Sequence, residues 1–390
     1  MTPSEEEIMR RRKFIATALV GLTVPRGVLD SAARLEPVGA AGSLARQVAE
    51  LEETVHARAL EFPTTPTVDQ LPRLLRDYAG FRRLAGEVGD HLRFRVEHGL
   101  SQLCAFAGGN MADWQDYDAA NAWYGAGLWH AGRGRSRESA AWIAGRSTLL
   151  AVHRGDDQQV LHDAAYAVML SPRGQLGSTL GNALAAATLA RIGHRAAAYQ
   201  ALDSARRAVD AQSDQETFTA YSMPWYRLGR FASEVHTRLG DFERARSYQD
   251  ESLPAYPPGA ATDTTFLRLD GAEAMARESY PQEGAEQATA ALLALSPEKS
   301  SPILADRAEQ VAEMIDADGS HTEHLRSVVR DVHRASAAAV RPERARGSTS
   351  QDPTRSPGCS RPACGSGAGV DVGSRSRSTK LPRCMPLVPR

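Results

Sequence analysis

The chain has 390 residues, of which 42% are hydrophobic and 6% aromatic, which is enough to bury a core. Residues 341–390 carry ten arginines and lysines against three acidic residues, so the remainder of the chain is acidic although the formal net charge is only −1. An acidic body lacks the positive surface that binds a phosphate backbone, and no run of 18 apolar residues predicts a membrane span.

Residues 1–43 form an N-terminal segment that resembles a twin-arginine export signal. Arg11 and Arg12 precede an apolar run at residues 16–25, as in such signals. The preceding MTPSEEEIM is acidic, whereas a signal begins with a basic region. We favour a short apolar helix in a cytoplasmic protein. The alternative is a signal within residues 1–40 that directs export of a helical repeat protein.

Residues 44–100 predict a helical lead-in. The amphipathic stretch 44–62 predicts a helix that ends at the sequence PTTP. Thr67 followed by Gln70 predicts a capping box at the start of a second helix, in which the hydroxyl and the amide bind two otherwise free backbone N–H groups.

Five self-similar units occupy residues 101–299, with a degenerate helical pair at 302–336. Their turns lie at 114–120, 154–160, 192–198, 239–245 and 279–285. Turn glycines at Gly155, Gly193 and Gly240 predict left-handed backbone between paired helices. Three aspartates after the turns predict helix N-caps, namely Asp116, Asp156 and Asp241. Prolines predict the ends of three units, at Pro172, Pro257 and Pro297.

The units resemble the tetratricopeptide repeat at the positions where two antiparallel helices cross closely. The small residues there are Gly108, Ala120 and Gly127 in the first unit, Ala186, Ala198 and Ala205 in the third, and Ser233, Ala245 and Ser252 in the fourth. The second unit (Thr148, Val160, Ala167) and the fifth (Glu273, Ala285, Leu292) are degenerate. More narrowly, the arrangement is similar to the repeat half of bacterial Xre-type transcriptional regulators, without their helix-turn-helix.

This resemblance implies an all-α fold, a superhelical stack of tetratricopeptide-like hairpins (an α-solenoid) with repeats over residues 101–340. It also implies that the first helix of each hairpin lines a concave groove. In the fourth and fifth units this groove is charged, with exposed side chains at Arg230, Glu234, Arg238, Asp270 and Arg277. In the first three units it is apolar, with Ala105, Gly109, Gly145, Leu149, Val152, Ala183 and Ala187.

A groove of this kind suits a peptide or protein partner. We therefore predict a non-enzymatic regulatory or adaptor protein that does not bind nucleic acid tightly by itself, with a homo-oligomer left open. No phosphate-binding loop, nucleophile elbow or HExxH motif occurs, so we expect neither catalysis nor a cofactor. His321 and His324 lack a third ligand, so we expect no metal site. The acids Glu273 and Glu278 are interpreted as surface charges.

Two further predictions concern the cysteines and the end of the chain. Cys104 lies in an apolar run and is expected to be a buried thiol. Residues 341–390 lack any apolar period and cannot bury enough surface to offset the entropy of ordering. We therefore predict a disordered basic tail, in which Cys359 and Cys364 lack the second pair of ligands that a zinc site needs.

Overall fold

The structure is a computed structural model that describes residues 43–171, 176–212, 218–315 and 321–340, and these contain fourteen α-helices and no β-strand. The helices are α1 (Leu44–Glu61), α2 (Thr67–Glu87), α3 (Asp90–Asp113), α4 (Tyr117–Arg133), α5 (Arg137–Arg154), α6 (Asp157–Leu170), α7 (Leu176–Arg191), α8 (Arg195–Asp210), α9 (Trp225–Leu239), α10 (Phe242–Ser252), α11 (Ala261–Arg277), α12 (Pro281–Leu293), α13 (Pro302–Ile315) and α14 (Glu323–Val340). The predicted all-α fold is confirmed. The twin-arginine-like motif, Pro172 and the basic tail lie outside the described residues.

Helices α3 to α14 pack as six consecutive hairpins that form a curved stack. The odd-numbered helices α3, α5, α7, α9, α11 and α13 each contact the next in that series. Among the even-numbered helices of the described stack, only α12 and α14 contact one another to a comparable extent. Because helices on the concave side of a curved stack approach one another more closely, the odd-numbered helices form the inner layer.

The predicted crossing positions lie in the interior of the stack. All fifteen of these residues are buried. A Cβ added at Gly108 would lie 3.0 Å from the Tyr124 ring, and one at Gly127 would lie 3.1 Å from the carbonyl oxygen of Ser101. The packing of the first hairpin therefore requires small residues at Gly108 and Gly127.

The turns between paired helices use left-handed backbone, as predicted. Gly155, Gly193 and Gly240 have φ angles of 70°, 80° and 76°. The first and fifth hairpins place Gln115 (φ 60°) and Ser279 (φ 75°) at the equivalent point. A side chain in this conformation costs about 1–2 kcal/mol relative to right-handed backbone, so these two turns are less stable than the three with glycine.

All three aspartates occupy helix N-cap positions, as predicted, and two of them make the capping hydrogen bond. The carboxylates of Asp116 and Asp156 accept hydrogen bonds from the backbone N–H groups of Ala119 and Gln159, at 3.1 and 3.0 Å. Asp241 occupies the N-cap position of α10 without such a bond. Its carboxylate instead lies 3.3 Å from Nδ1 of His236, in the preceding helix, and 3.6 Å from Nε of Arg244.

The predicted capping box at Thr67 and Gln70 is wrong. Pro66 is the N-cap of α2, and it has no side chain that accepts a hydrogen bond. The Gln70 amide instead donates to the carbonyl oxygen of Phe62, at 2.9 Å, and so caps the end of α1. Thr67 donates to Asp113 at 3.2 Å, because α3 brings a stronger acceptor within its reach.

Apolar packing divides into two main clusters along the stack. One cluster runs from Val48 to Leu239, and a second runs from Leu269 to Val332. Cys104 is fully buried in the first cluster, as predicted, and burial raises the pKa of its thiol. None of the helices in the described parts of the chain is both long and apolar enough to cross a membrane.

Candidate functional site

The apolar half of the predicted groove is covered by the chain itself. Phe62, at the end of α1, packs on Phe106 of α3 with ring centroids 5.2 Å apart. From the connection before α9, Tyr221 packs on Trp142 at 4.4 Å and on Phe106 at 5.3 Å. These two aromatic side chains occupy the surface of the inner layer that an apolar peptide would use.

A backbone hydrogen bond links the two covering segments. The N–H of Ala220 donates to the carbonyl oxygen of Ala59 at 2.9 Å. A Cβ added at Gly109 would lie 2.8 Å from the Phe62 ring, and one at Gly145 would lie 3.3 Å from Leu180 of the neighbouring helix. The expectation of an open apolar groove is therefore wrong. Its predicted lining is buried or half-buried, at Ala105, Gly109, Gly145, Leu149, Val152, Ala183 and Ala187.

The charged half of the predicted groove forms a compact network on three successive inner helices. Four of the five predicted residues are joined there by Glu273 of α11 and Arg307 of α13. The fifth, Arg230, packs instead on the rings of Phe231 and Phe266. Arg307 donates to Asp270 at 2.8 Å and to Glu273 at 2.5 Å. We call the six connected residues the charge cluster: Glu234, Arg238, Asp270, Glu273, Arg277 and Arg307.

Glu273 is the centre of the charge cluster, because three arginines surround it. In addition to Arg307, Arg277 donates to its carboxylate at 2.9 Å, and Arg238 lies 3.6 Å away. Arg238 also lies 3.7 Å from Glu234 on its own helix. The interpretation of Glu273 as a surface charge is therefore wrong, since the residue is only 2% exposed.

Burial corrects the expectation that the charged groove residues are exposed. Asp270 is 2% exposed, the side chain of Arg238 is 16% exposed, and Arg230 is half-buried. Arg277 keeps 37% of its side chain exposed and lies at the edge of the cluster. The difference arises because α13 packs against α11 and covers the middle of the surface, while Arg307 supplies the opposite charge.

The two buried carboxylates have opposite electrostatic environments. Burial raises the pKa of Asp270 to about 6, against the opposing charge of Arg307. Burial alone would also raise the pKa of Glu273, but the charges of Arg307 and Arg238 outweigh it and lower that pKa to about 2. The second carboxylate oxygen of Asp270 is buried without a hydrogen-bond partner, which agrees with its raised pKa.

Glu273 and Arg307 were missed by sequence reasoning, although one signal pointed to the first. Glu273 stands at a crossing position where the related units place small residues. A carboxylate at such a position is buried by the packing and therefore requires an opposite charge. Arg307 lies 34 residues away, in the degenerate last pair, so no local pattern connects the two residues.

This arrangement can hold charged groups in place. Its members are arginines and carboxylates that neutralise one another. In the part of the chain that the structure describes, no group of three or more His, Cys, Asp or Glu side chains is placed to hold a metal ion. His321 and His324 are exposed at the start of α14. No family model matches this chain, and none of the curated proteins compared with it does.

Proposed function

We propose that this protein is a non-enzymatic binding module that holds a peptide or protein partner at the exposed edge of the charge cluster. Its role would be that of a regulatory or adaptor protein, like the repeat half of Xre-type transcriptional regulators. The supporting observation is that the cluster spans α9, α11 and α13 and still reaches the surface at Arg277.

The geometry favours a charged partner over an apolar one. The apolar part of the inner layer is covered by Phe62 and Tyr221, whereas the charged side chain of Arg277 remains accessible further along the stack. Hydrogen bonds within the cluster already hold Arg277 in position beside Glu273. A partner therefore meets a side chain whose conformational entropy has largely been lost on folding, which favours affinity.

Arg277→Ala tests this proposal, with Arg206→Ala as the matched control. Arg277 is at the exposed edge of the cluster, and Glu273 keeps two other arginines when it is removed. Arg206 is an exposed arginine of α8 that pairs only with Asp203 among the described residues, at 3.2 Å. Both variants should retain the helix content of the unmodified protein.

The measurement is affinity capture from a lysate with quantitative mass spectrometry, followed by binding assays with the purified partner. We expect Arg277→Ala to weaken binding by about tenfold, which corresponds to about 1.4 kcal/mol. Arg206→Ala should bind like the unmodified protein. A partner that binds both variants equally well would refute the assignment of this surface.

A second candidate function is that of an exported helical repeat protein. Arg11 and Arg12, followed by the apolar run at residues 16–25, support it. N-terminal sequencing of the protein from cells and from culture medium separates the two candidates. An intact N-terminus in the cells supports the regulatory role, and a secreted chain that starts near Ala41 supports export.

A further inference from the structure

A cavity of about 270 Å³ lies between the start of α11 and the end of α12. One wall is a single face of α11, because Ala261, Thr264, Thr265 and Arg268 follow one another at helical spacing. Residues 294–296, directly after α12, form another wall. Sites for drug-sized ligands have volumes of roughly 300–1,000 Å³, so this cavity suits a smaller molecule.

Two positively charged side chains line the cavity, and none of the described residues around it is acidic. They are Arg268 of α11 and Lys299 of the short 3₁₀ helix that follows α12. Neither pairs with a carboxylate in the described parts of the chain. Asp263, in the first turn of α11, pairs instead with Arg227 at 3.3 Å. Glu298 is exposed and lines a smaller cavity next to this one. The lining therefore carries a net positive charge.

The turn before α11 holds the ammonium group of Lys299 at the cavity wall. Nζ of Lys299 donates to the carbonyl oxygen of Gly259 at 3.1 Å. Gly259 has a φ angle of 94°, which is inexpensive only for glycine. A Cβ added there would lie 3.5 Å from Nζ of Lys299 and 3.4 Å from Cβ of Thr64. An ammonium group has three N–H donors, so this contact leaves donors for a ligand.

Both charged groups can be reached from solvent. Arg268 is exposed, and Lys299 is half-buried. No hydrogen bond joins the guanidinium of Arg268 to another described residue, and only its backbone carbonyl is engaged, by the Gln287 amide at 3.0 Å. A guanidinium with free N–H donors can bind both oxygens of one carboxylate.

The helix ends at the cavity do not cancel its positive charge. Ala260 is the N-cap of α11 and has no side chain that accepts a hydrogen bond, so the partial positive charge of that helix end is not offset by a cap. The end of α12 contributes a partial negative charge of about half an elementary charge. The full charges of Arg268 and Lys299 outweigh it.

Apolar side chains complete the lining of the cavity. Ala260 and Ala261 contribute at the start of α11, and Ala294 and Leu295 contribute after α12. A bare inorganic anion would leave these groups in contact with water. A ligand that combines a charged group with a few carbon atoms would cover them, and the burial of its own apolar surface would favour binding.

We propose that this cavity binds a small organic anion, namely a carboxylate attached to a short apolar chain. Arg268 supplies the paired N–H donors, Lys299 supplies a second positive charge, and the alanine and leucine side chains contact the apolar chain. This inference goes beyond the proposed function, because no residue of the charge cluster lines the cavity and the site requires no protein partner.

Isothermal titration calorimetry with the purified full chain tests the site, with hexanoate as the probe at constant ionic strength. Hexanamide has the same chain without the charge, and acetate has the charge without the chain. We expect one hexanoate to bind per chain with a dissociation constant of about 1 mM or lower. Hexanamide and acetate should each bind about tenfold more weakly or less, since each lacks one of the two features that the cavity recognises.

Variants of the two charged residues test which groups bind the carboxylate. Arg268→Gln and Lys299→Gln should each weaken hexanoate binding by about tenfold, because each removes a charge-assisted hydrogen bond. Glutamine at position 299 can still donate to the Gly259 carbonyl, so the turn keeps that contact. Arg206→Gln is the matched control, since Arg206 is exposed and lies outside the cavity, and it should bind like the unmodified protein.

A further variant tests the location of the site without removing a charge. Ala294 is exposed at the cavity wall, so Ala294→Phe should fill part of the cavity and weaken hexanoate binding by about tenfold or more. This variant also replaces either glutamine variant if circular dichroism shows that the latter has lost helix content.

Three results would overturn the proposal. The first is the absence of hexanoate binding at about 10 mM. The second is equal affinity for hexanoate and hexanamide, which would show that the positive charges do not contribute. The third is unchanged affinity in the folded variants among Arg268→Gln, Lys299→Gln and Ala294→Phe. The partner surface at Arg277 is tested separately, because Arg277 lies outside the cavity.

Discussion

Replacing each of the two buried carboxylates of the charge cluster by its neutral amide should change the stability of the protein in opposite directions. Glu273→Gln removes a charge that three arginines stabilise. Folding lowers the pKa of Glu273 from 4.5 to about 2. Since one pKa unit corresponds to about 1.4 kcal/mol, the carboxylate contributes about 3 kcal/mol at neutral pH. We expect Glu273→Gln to lower the free energy of unfolding at neutral pH by about that amount.

Asp270→Asn should instead stabilise the fold at pH 8. Burial raises the pKa of Asp270 from 3.8 to about 6 despite Arg307, so the folded state disfavours the ionised form. The same conversion gives a cost of about 3 kcal/mol for keeping it charged. Asparagine is neutral and keeps an acceptor oxygen for Arg307, which retains its contact with Glu273.

The pH dependence of the two effects also differs. The stability that Glu273 contributes is complete above pH 4.5 and is lost as the pH falls through about 2, because its folded pKa is depressed. The cost of Asp270 is complete above pH 6 and disappears as the pH falls towards 4, because its folded pKa is raised. Asp270→Asn should therefore have an advantage at pH 8 that vanishes near pH 4.

Urea unfolding followed by circular dichroism at several pH values measures both effects. Asp203→Asn is the control, because Asp203 is exposed and pairs only with Arg206 among the described residues. Its stability should change by less than about 0.5 kcal/mol. If Glu273→Gln and Asp270→Asn both destabilise the protein at pH 8 by similar amounts, the two carboxylates do not differ in the way that their surroundings imply.

Three other outcomes are expected. Ser279→Gly should raise the urea midpoint by an amount equivalent to about 1 kcal/mol, because Ser279 has a φ angle of 75°, whereas Ser279→Ala should give no gain. Gly177→Ala should lower the melting temperature by an amount equivalent to about 1–3 kcal/mol, since the new Cβ would lie 2.7 Å from the carbonyl carbon of Ala141. Gly132→Ala is the control and should leave the melting temperature unchanged, because no atom lies within 4 Å of the added Cβ. Fluorescence anisotropy at about 150 mM salt should detect no nanomolar, sequence-specific binding to duplex DNA. Such binding would contradict the prediction that the acidic part of the chain does not bind nucleic acid tightly by itself.

Local patterns in the sequence were enough to predict the hairpins. Gly155, Gly193 and Gly240 mark turns because left-handed backbone is inexpensive only for glycine. Small residues such as Ala120 and Ala198 are buried because two helices cross there. Both requirements act within one hairpin, so they recur at regular spacing along the chain. The capping box failed because Thr67 and Gln70 found acceptors outside their own helix turn, on Asp113 and at the end of α1.

The state of the inner surface was decided only by tertiary structure. Phe62 and Tyr221 reach the inner layer because the end of α1 lies beside the segment before α9. Likewise, Arg307 neutralises Glu273 because α13 packs on α11. Periodicity places a residue on one face of its helix, but whether that face meets solvent, an aromatic ring or an opposite charge depends on segments distant in sequence. Sequence alone therefore determined the helices and their pairing, while packing between segments distant in sequence determined which groove residues are exposed.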